Sequence, residues 1–182
     1  MQSMTIEESR SWCCQDATSL KLTSEDTLYY QNEEEPSFMV KAPLEDRRLA
    51  ALTHDILMLS DPSMFDGGFV WLRQWKVGVS ELARPGWRII EAIRRAHGDP
   101  RSLDIAPGQL FRHDEFVELH AFLIQIMAYG WGAYFVPSFG DYLLHFRTSD
   151  KFFCKARSAE KLAELYSALK PWKPSKESHR AV

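Results

Sequence analysis

Six histidines are the first residues to consider for chemistry, because imidazole acts both as a metal ligand and as an acid–base group near neutral pH. His113 and His120 lie seven positions apart in a segment with helical periodicity, so they point to the same side of that helix. Seven residues of helix rise roughly 10 Å, which is too far for two ligands of one ion. The neighbouring acids complete no metal-binding pair with either histidine at a spacing of three or four residues. The sequence therefore predicts no metal site.

The sequence also contains no motif that is typical of nucleophilic catalysis. No GxSxG elbow, no CxxC pair and no glycine-rich phosphate loop is present. Cys154 follows two phenylalanines in a predicted strand, so we expect a buried structural thiol there rather than a reactive one. The sequence thus predicts no catalytic residue and no cofactor, and it favours a protein that is not an enzyme.

An alternation of tryptophan and arginine is the feature that most suggests a binding surface. Trp71, Arg73 and Trp75 alternate along a predicted strand, residues 69–77, which places them on one face. Side chains two positions apart on a strand lie roughly 6–7 Å from each other, so the guanidinium can lie between the two indoles. A simpler alternative is that one tryptophan lies under a helix and the arginine covers it with its stem. With two arginines of the following helix, the candidate interface consists of Trp71, Arg73, Trp75, Arg88 and Arg95.

A second hypothesis describes the protein as a small enzyme or a ligand-sensing domain. Its pocket would lie between the sheet and the third predicted helix, at residues 115–129. The candidate polar groups fall in two separate segments of the sequence, so only the fold can bring all four together. The candidate pocket residues are His113, Glu118, His145 and Arg147.

Charge and cysteine content restrict the class of partner. Residues 1–60 carry 5 Lys+Arg against 11 Asp+Glu, whereas residues 61–182 carry 17 against 14. This basic excess is too small to favour a nucleic-acid partner.

Three cysteines form no disulfide framework, and the N-terminus has no basic segment followed by an apolar one, so we expect reduced thiols in a cytoplasmic protein. We therefore predict a non-enzymatic cytoplasmic binding protein, of the immunity, inhibitor, adaptor or regulatory type, whose partner is another protein.

The elements that must position these residues follow from the apolar pattern. Residues 116–136 form the longest apolar run, which changes from helical to strand periodicity at Gly130-Trp131-Gly132. Its polar residues and glycines argue against a membrane span, so we expect it to form the buried centre of the domain. The predicted helices cover residues 44–59, 85–97, 115–129 and 158–170, and the predicted strands cover residues 37–41, 69–77, 133–136, 142–147 and 151–154.

These elements predict an α+β fold, with a small antiparallel sheet of four or five strands and about four helices packed on it. Residues 1–36 are expected to form an acidic polar arm that can be mobile, with at most one strand around residues 20–30. A single α+β domain is expected over residues 37–172, followed by a basic polar tail over residues 173–182. A loop is expected over residues 99–108, and the segment 107–111 is expected to expose Leu110 and Phe111, which either staple the next helix or form one wall of a groove.

Overall fold

The computed structural model describes residues 1–15, 20–25, 27–30, 37–59, 66–75 and 84–176. This part of the chain contains five α-helices, ten β-strands and a short 3-10 helix, Lys170–Trp172. The helices are α1 (Ile6–Cys13), α2 (Asp46–Leu57), α3 (Arg84–Ala96), α4 (Phe116–Ala128) and α5 (Ala159–Ala168). The strands are β1 (Gln2–Met4), β2 (Leu20–Leu22), β3 (Leu28–Tyr30), β4 (Ser37–Lys41), β5 (Gly68–Gln74), β6 (Gly108–Phe111), β7 (Gly132–Pro137), β8 (Tyr142–Phe146), β9 (Lys151–Ala156) and β10 (Ser175–Lys176).

The main sheet is larger than the sequence predicted. Its strands are antiparallel and lie in the order β1-β6-β5-β7-β8-β9-β4-β10, and a separate hairpin is formed by β2 and β3. Strand β10 has only two residues, so seven strands make up most of the sheet. The expected mixture of helices and an antiparallel sheet is present, but the predicted size of four or five strands is wrong. The described residues also contain one helix more than predicted, α1.

Strands β1 and β6 account for most of this difference. Both are short. The segment 107–111, which was predicted to expose two apolar side chains, contains the strand β6, paired with β1 on one side and with β5 on the other. Phe111 is buried in the core, while Leu110 is partly exposed. Because a strand of three or four residues acquires its structure from its neighbours, no local pattern identifies it.

One side of the sheet, called here the helix face, packs against α2, α3, α4 and α5. Alternate strand residues such as Val70, Leu72 and Phe135 join Leu123 and Ile126 of α4 in a single buried cluster. The prediction that the long apolar run forms the buried centre is therefore confirmed. None of the helices in the described ranges is both long and apolar enough to cross a membrane.

The other side of the sheet, called here the hairpin face, is covered by α1 and the β2–β3 hairpin. Phe69 and Trp71 of β5 and Tyr134 of β7 form a second buried cluster with Cys13 of α1 and Leu28 of β3. Residues of the predicted N-terminal arm thus contribute α1 and the β2–β3 hairpin to this layer and β1 to the main sheet, so the expectation of at most one strand in the arm is wrong. Residues 31–36 of that arm and residues 177–182 of the predicted tail lie outside the described residues, and the domain boundaries stay a prediction.

A buried polar network fastens β1 to the body of the protein. The Arg94 side chain on α3 is fully buried, donates from Nε to the Ser3 hydroxyl at 3.2 Å and pairs with Asp99 at 3.4 Å. Ser3 donates to the side-chain oxygen of Gln109 at 2.9 Å. Hydrogen bonds from Arg101 hold the pKa of Asp99 well below its usual range. These contacts compensate for the burial of the Arg94 charge only in part, because its Nη1 atom has no hydrogen-bond partner among the described residues.

Two helix ends have the capping residues that the sequence predicts. The Ser158 hydroxyl accepts a hydrogen bond from the backbone N–H of Lys161 at 3.1 Å and so caps α5. Gly98 follows α3 with a φ of 83°, a left-handed conformation that glycine adopts without strain. Cys154 is fully buried, and burial raises the pKa of its thiol, which confirms the expected structural role.

Candidate functional site

Strand β5 contains an extra residue that determines which side chains reach the hairpin face. Leu72 pairs with Ala133, but the next pair joins Gln74 to Gly132, so the register shifts by one residue between Leu72 and Gln74. This is a β-bulge, which bends the strand and changes the alternation of its side chains. Gly132 accommodates the bulge, because a Cβ atom there would lie 3.0 Å from Cβ of Gln74.

The bulge separates the two tryptophans of the predicted interface. Trp71 is 1% exposed and belongs to the buried cluster of the hairpin face. Trp75 packs against the cluster of the helix face, with its ring centroid 6.3 Å from that of Trp87. The guanidinium of Arg73 lies 4.7 Å from the centroid of Trp71. The predicted stack of one guanidinium between two indoles is therefore wrong, because the indoles lie on opposite sides of the sheet.

The remaining members of the candidate interface lie elsewhere on the surface. Arg88 and Arg95 are exposed on α3, and Arg95 forms an ion pair with Glu91 at 3.7 Å. Residues 76 and 77 of the predicted strand lie outside the described residues. As a protein interface, the candidate residues stay a prediction.

Arg73 instead forms one wall of a cleft of about 390 Å³ on the hairpin face. The cleft lies between the ends of β5, β7 and β8 and the turn of the β2–β3 hairpin, and it is called here the arginine cleft. Its polar lining residues are Glu25, Thr27, Arg73, Gln74, Tyr134, His145, Arg147 and Thr148.

Both arginines of the cleft lie over aromatic rings. The Arg147 guanidinium is 4.5 Å from the centroid of Phe153, which matches the arrangement of Arg73 over Trp71. Such cation–π contacts attract a guanidinium to the face of a ring and so restrict the positions that its N–H donors take. Arg73 also donates to the backbone carbonyl of Glu25 at 3.3 Å, which attaches the hairpin turn to the cleft wall.

His145 lies between two aromatic rings at the floor of the cleft. Its ring centroid is 4.5 Å from that of Tyr134, in a stacked arrangement, and 6.4 Å from that of Phe153. Burial lowers the pKa of His145 to about 4, and the positive charges of Arg147 and Lys155 contribute to the same shift. The imidazole is therefore neutral at pH 7 and can both donate and accept a hydrogen bond.

Tyr134 links the floor of the cleft to the hairpin. Its hydroxyl is hydrogen-bonded to the backbone of Leu28 and to the side chain of Thr27, while burial raises the pKa of Tyr134. Among its described residues, the cleft thus brings together two guanidiniums, an uncharged imidazole, neutral polar groups and the exposed Glu25. This chemistry is suited to holding a negatively charged or hydrogen-bonding ligand.

No protein-family model, curated protein or solved structure matches this chain. Across the described ranges, no group of three His, Cys, Asp or Glu residues is placed to hold a metal ion.

The four residues of the predicted alternative pocket do not share one site. His145 and Arg147 line the arginine cleft on the hairpin face. His113 is exposed beside a different cleft of about 360 Å³, and Glu118 lies 3.8 Å from the ring of His97. The layer between the sheet and α4 is filled by the apolar cluster, which leaves no pocket for these groups among the described residues.

The sequence did not predict that Arg73 lines the same cleft as His145 and Arg147. His145 and Arg147 alternate on one strand, so their common face was visible in the sequence. Arg73 and Gln74 join them only through the pairing of β5 with β7 and of β7 with β8. The one local signal was Gly132, a residue without a side chain opposite the bulge.

Proposed function

We propose that the protein is a non-enzymatic binding protein that holds a small ligand in the arginine cleft. The observation that supports this proposal is that the guanidiniums of Arg73 and Arg147, each over an aromatic ring, line the same cleft as the neutral imidazole of His145. The volume of about 390 Å³ falls within the range of roughly 300–1,000 Å³ that is typical of small-molecule sites. The polar lining favours a ligand recognised by charge and hydrogen bonds.

Binding without catalysis fits the titratable groups of the cleft. A general acid or base works best when its pKa lies near the working pH. The pKa of His145 is lowered to about 4 and that of Tyr134 is raised, so both groups are displaced from neutrality in opposite directions. At pH 7 the imidazole is a weak base and the phenol is a weak acid.

A protein partner bound through the tryptophan–arginine surface is a weaker candidate. Its central residue, Trp71, lies in the core, where a partner cannot contact it.

The proposed location remains the cytoplasm, which is supported by the absence of disulfides among the three cysteines.

A variant that fills the cleft tests the proposal without altering its charge. Thr148 is exposed at the rim, and Thr148→Trp would place an indole in the cleft. A library of charged and neutral metabolites would be screened by thermal unfolding of the full chain. We expect compounds that raise the Tm of the wild-type protein by several degrees, since a ligand at about 100 times its Kd adds about 2.7 kcal/mol.

The matched control is Val117→Trp, because Val117 is 74% exposed on α4, beyond the opposite face of the sheet. The compounds should stabilise the Val117→Trp protein as they do the wild type, and they should not stabilise the Thr148→Trp protein. A library without any stabilising compound would contradict the proposal. So would compounds that stabilise both tryptophan variants equally.

A further inference from the structure

Helix α4 is apolar on the side that points away from the core. Three of its thirteen residues have polar side chains. The residues opposite its buried side recur at spacings of four and three, and these are Val117, Ala121, Ile124 and Ala128. Val117 is 74% exposed, and the other three are at least partly exposed. A surface helix normally carries polar residues on its outer side, so this arrangement indicates that a further molecule covers α4.

Helix α2 borders this surface on one side and runs antiparallel to α4. The ring centroid of His54 lies 6.0 Å from that of Phe116, and one turn earlier on α2 the carbonyl oxygen of Ala50 lies 3.0 Å from the Nε2 atom of His120. Arg47, a further turn earlier, is exposed and therefore lies beside the C-terminal half of α4. This border has a small side chain at its centre and a positive charge at one end.

Helix α3 borders α4 on the other side with an apolar edge. The Nε2 atom of His97 lies 3.8 Å from the Glu118 carboxylate near the start of α4, and Gly86 packs against the ring of Tyr129 at its end. Between these two contacts, the residues of α3 on the α4 side are at least partly exposed, and these are Ile89, Ile93 and Ala96. The apolar surface therefore continues from α4 onto α3.

These residues form one surface across three helices, called here the α4 patch. Its members are Arg47, Ala50 and His54 of α2, Ile89, Ile93 and Ala96 of α3, and Val117, Glu118, Ala121, Ile124 and Ala128 of α4. We propose that the α4 patch is the interface of a symmetric dimer, in which two copies of this chain face each other across a two-fold axis. The patch lies beyond the helix face of the sheet, so this dimer is independent of ligand binding in the arginine cleft on the hairpin face.

The charges of the α4 patch favour a second copy as its occupant. Arg47 and Glu118 carry opposite charges, and they lie towards opposite ends of α4. A two-fold axis midway between them places each Arg47 opposite Glu118 of the other copy, so two ion pairs form across the interface. Because these opposite charges balance and the rest of the patch is mainly apolar, two copies do not repel each other, whereas a strongly charged partner gains no attraction here.

The size of the α4 patch predicts a reversible dimer. Helix α4 has thirteen residues, so it is roughly 20 Å long, and neighbouring helices pack roughly 8–10 Å apart. A patch of roughly 20 by 25 Å on each copy buries roughly 1,000 Å² in total, at the low end of specific interfaces. We therefore expect a Kd of roughly 10–100 µM. Thermal unfolding below this concentration range measures the monomer, so the Val117→Trp control of the ligand screen stays valid.

Sedimentation velocity of the full chain over about 1–500 µM tests the proposal. We expect monomers at low concentration and dimers at high concentration without larger species, because a two-fold interface closes at two copies. Val117→Glu and Ile89→Glu should each raise the Kd at least roughly tenfold, because a carboxylate would be buried among apolar side chains. Urea unfolding should give both variants a midpoint close to that of the wild type, since both side chains are exposed in the monomer.

The matched control is Ile6→Glu on α1. Ile6 is 38% exposed and Ile89 is 42% exposed, and both are isoleucines on the outside of a helix. Because α1 covers the hairpin face, Ile6→Glu should leave the Kd of the dimer unchanged.

A charge exchange tests whether the partner is a second copy in this arrangement. Arg47→Glu and Glu118→Lys each place like charges opposite each other, so each variant alone should dimerise roughly tenfold more weakly. An equimolar mixture of the two variants has opposite charges at both positions, and it should dimerise nearly as tightly as the wild type.

Four results would overturn the proposal. The wild-type chain could stay monomeric at about 500 µM, which would leave the patch to a different partner. The Val117→Glu and Ile89→Glu proteins could dimerise like the wild type, or association could continue beyond two copies. The mixture of charge variants could also dimerise no better than either variant alone.

Discussion

Acid should destabilise this protein through His145, and the size of the effect follows from the surroundings of its imidazole. Burial lowers the pKa of His145 from 6.5 to about 4 in the folded state, with further contributions from Arg147 and Lys155. Between these two values the unfolded chain binds a proton that the folded protein does not bind. The stabilisation is therefore complete above about pH 6.5 and is lost as the pH falls towards about 4.

One pKa unit corresponds to about 1.36 kcal/mol, so the full lowering of the pKa by about 2.5 corresponds to at most about 3.4 kcal/mol. The imidazole keeps some contact with water, and we therefore expect about 2 kcal/mol. The assay is urea unfolding of the wild-type protein and of His145→Gln at about pH 7.5 and at about pH 4.5. The wild-type protein should lose about 2 kcal/mol more than the variant between the two conditions, since both share all other titrating groups.

His113→Gln is the matched control, because His113 is exposed and its removal should leave the acid sensitivity of the wild type intact. A direct measurement is the titration of the His145 ring signals by NMR. A midpoint near 6.5 in the folded protein would refute the reasoning. Equal acid sensitivity of the wild-type and His145→Gln proteins would refute it as well.

Three further predictions concern stability, and each is measured by chemical unfolding. Arg94→Ala should cost about 3 kcal/mol because it removes one member of a buried polar network, whereas Arg95→Ala on the exposed side of α3 should cost less than about 0.5 kcal/mol. Gly67→Ala should cost more than about 3 kcal/mol or prevent folding, because φ is 91° and a Cβ atom would lie 2.0 Å from the carbonyl oxygen of the facing strand. Gly98→Ala, with a φ of 83° and no atom within 4 Å, should cost only about 1–2 kcal/mol. Ser158→Ala should cost about 1 kcal/mol through loss of the cap of α5, and an unchanged midpoint would contradict the assigned hydrogen bond.

The parts of the fold that the sequence predicts well are those whose pattern is local. Residues 37–41 were predicted as a strand, and the structure has Ser37–Lys41 with the same bounds. The helix α4 follows from its apolar spacing and ends where Gly130 takes a φ of 60°. Strands β1 and β6 could not be found in this way, because their structure depends on pairing across about a hundred residues of chain.

The candidate site shows the same division between local and non-local information. His145 and Arg147 alternate along one strand, so their common face is local information, although they were predicted only as two of four pocket residues that the fold would bring together. Arg73 was assigned to a different hypothesis, since strict alternation put it between Trp71 and Trp75. No residue type in β5 marks the bulge, so the change of face after Leu72 is invisible without the register of the neighbouring strand.

The bulge explains why the sheet has a polar cleft on a face that is otherwise apolar. In a regular strand, consecutive residues point to opposite faces, so Arg73 and Gln74 could not both line one cavity. The extra residue in β5 brings both side chains to the hairpin face and sends Trp75 to the helix face, where it packs against the core. The core therefore retains its tryptophan, while the cleft gains an arginine and a glutamine next to each other. The loss of the predicted aromatic surface and the formation of the arginine cleft have the same cause.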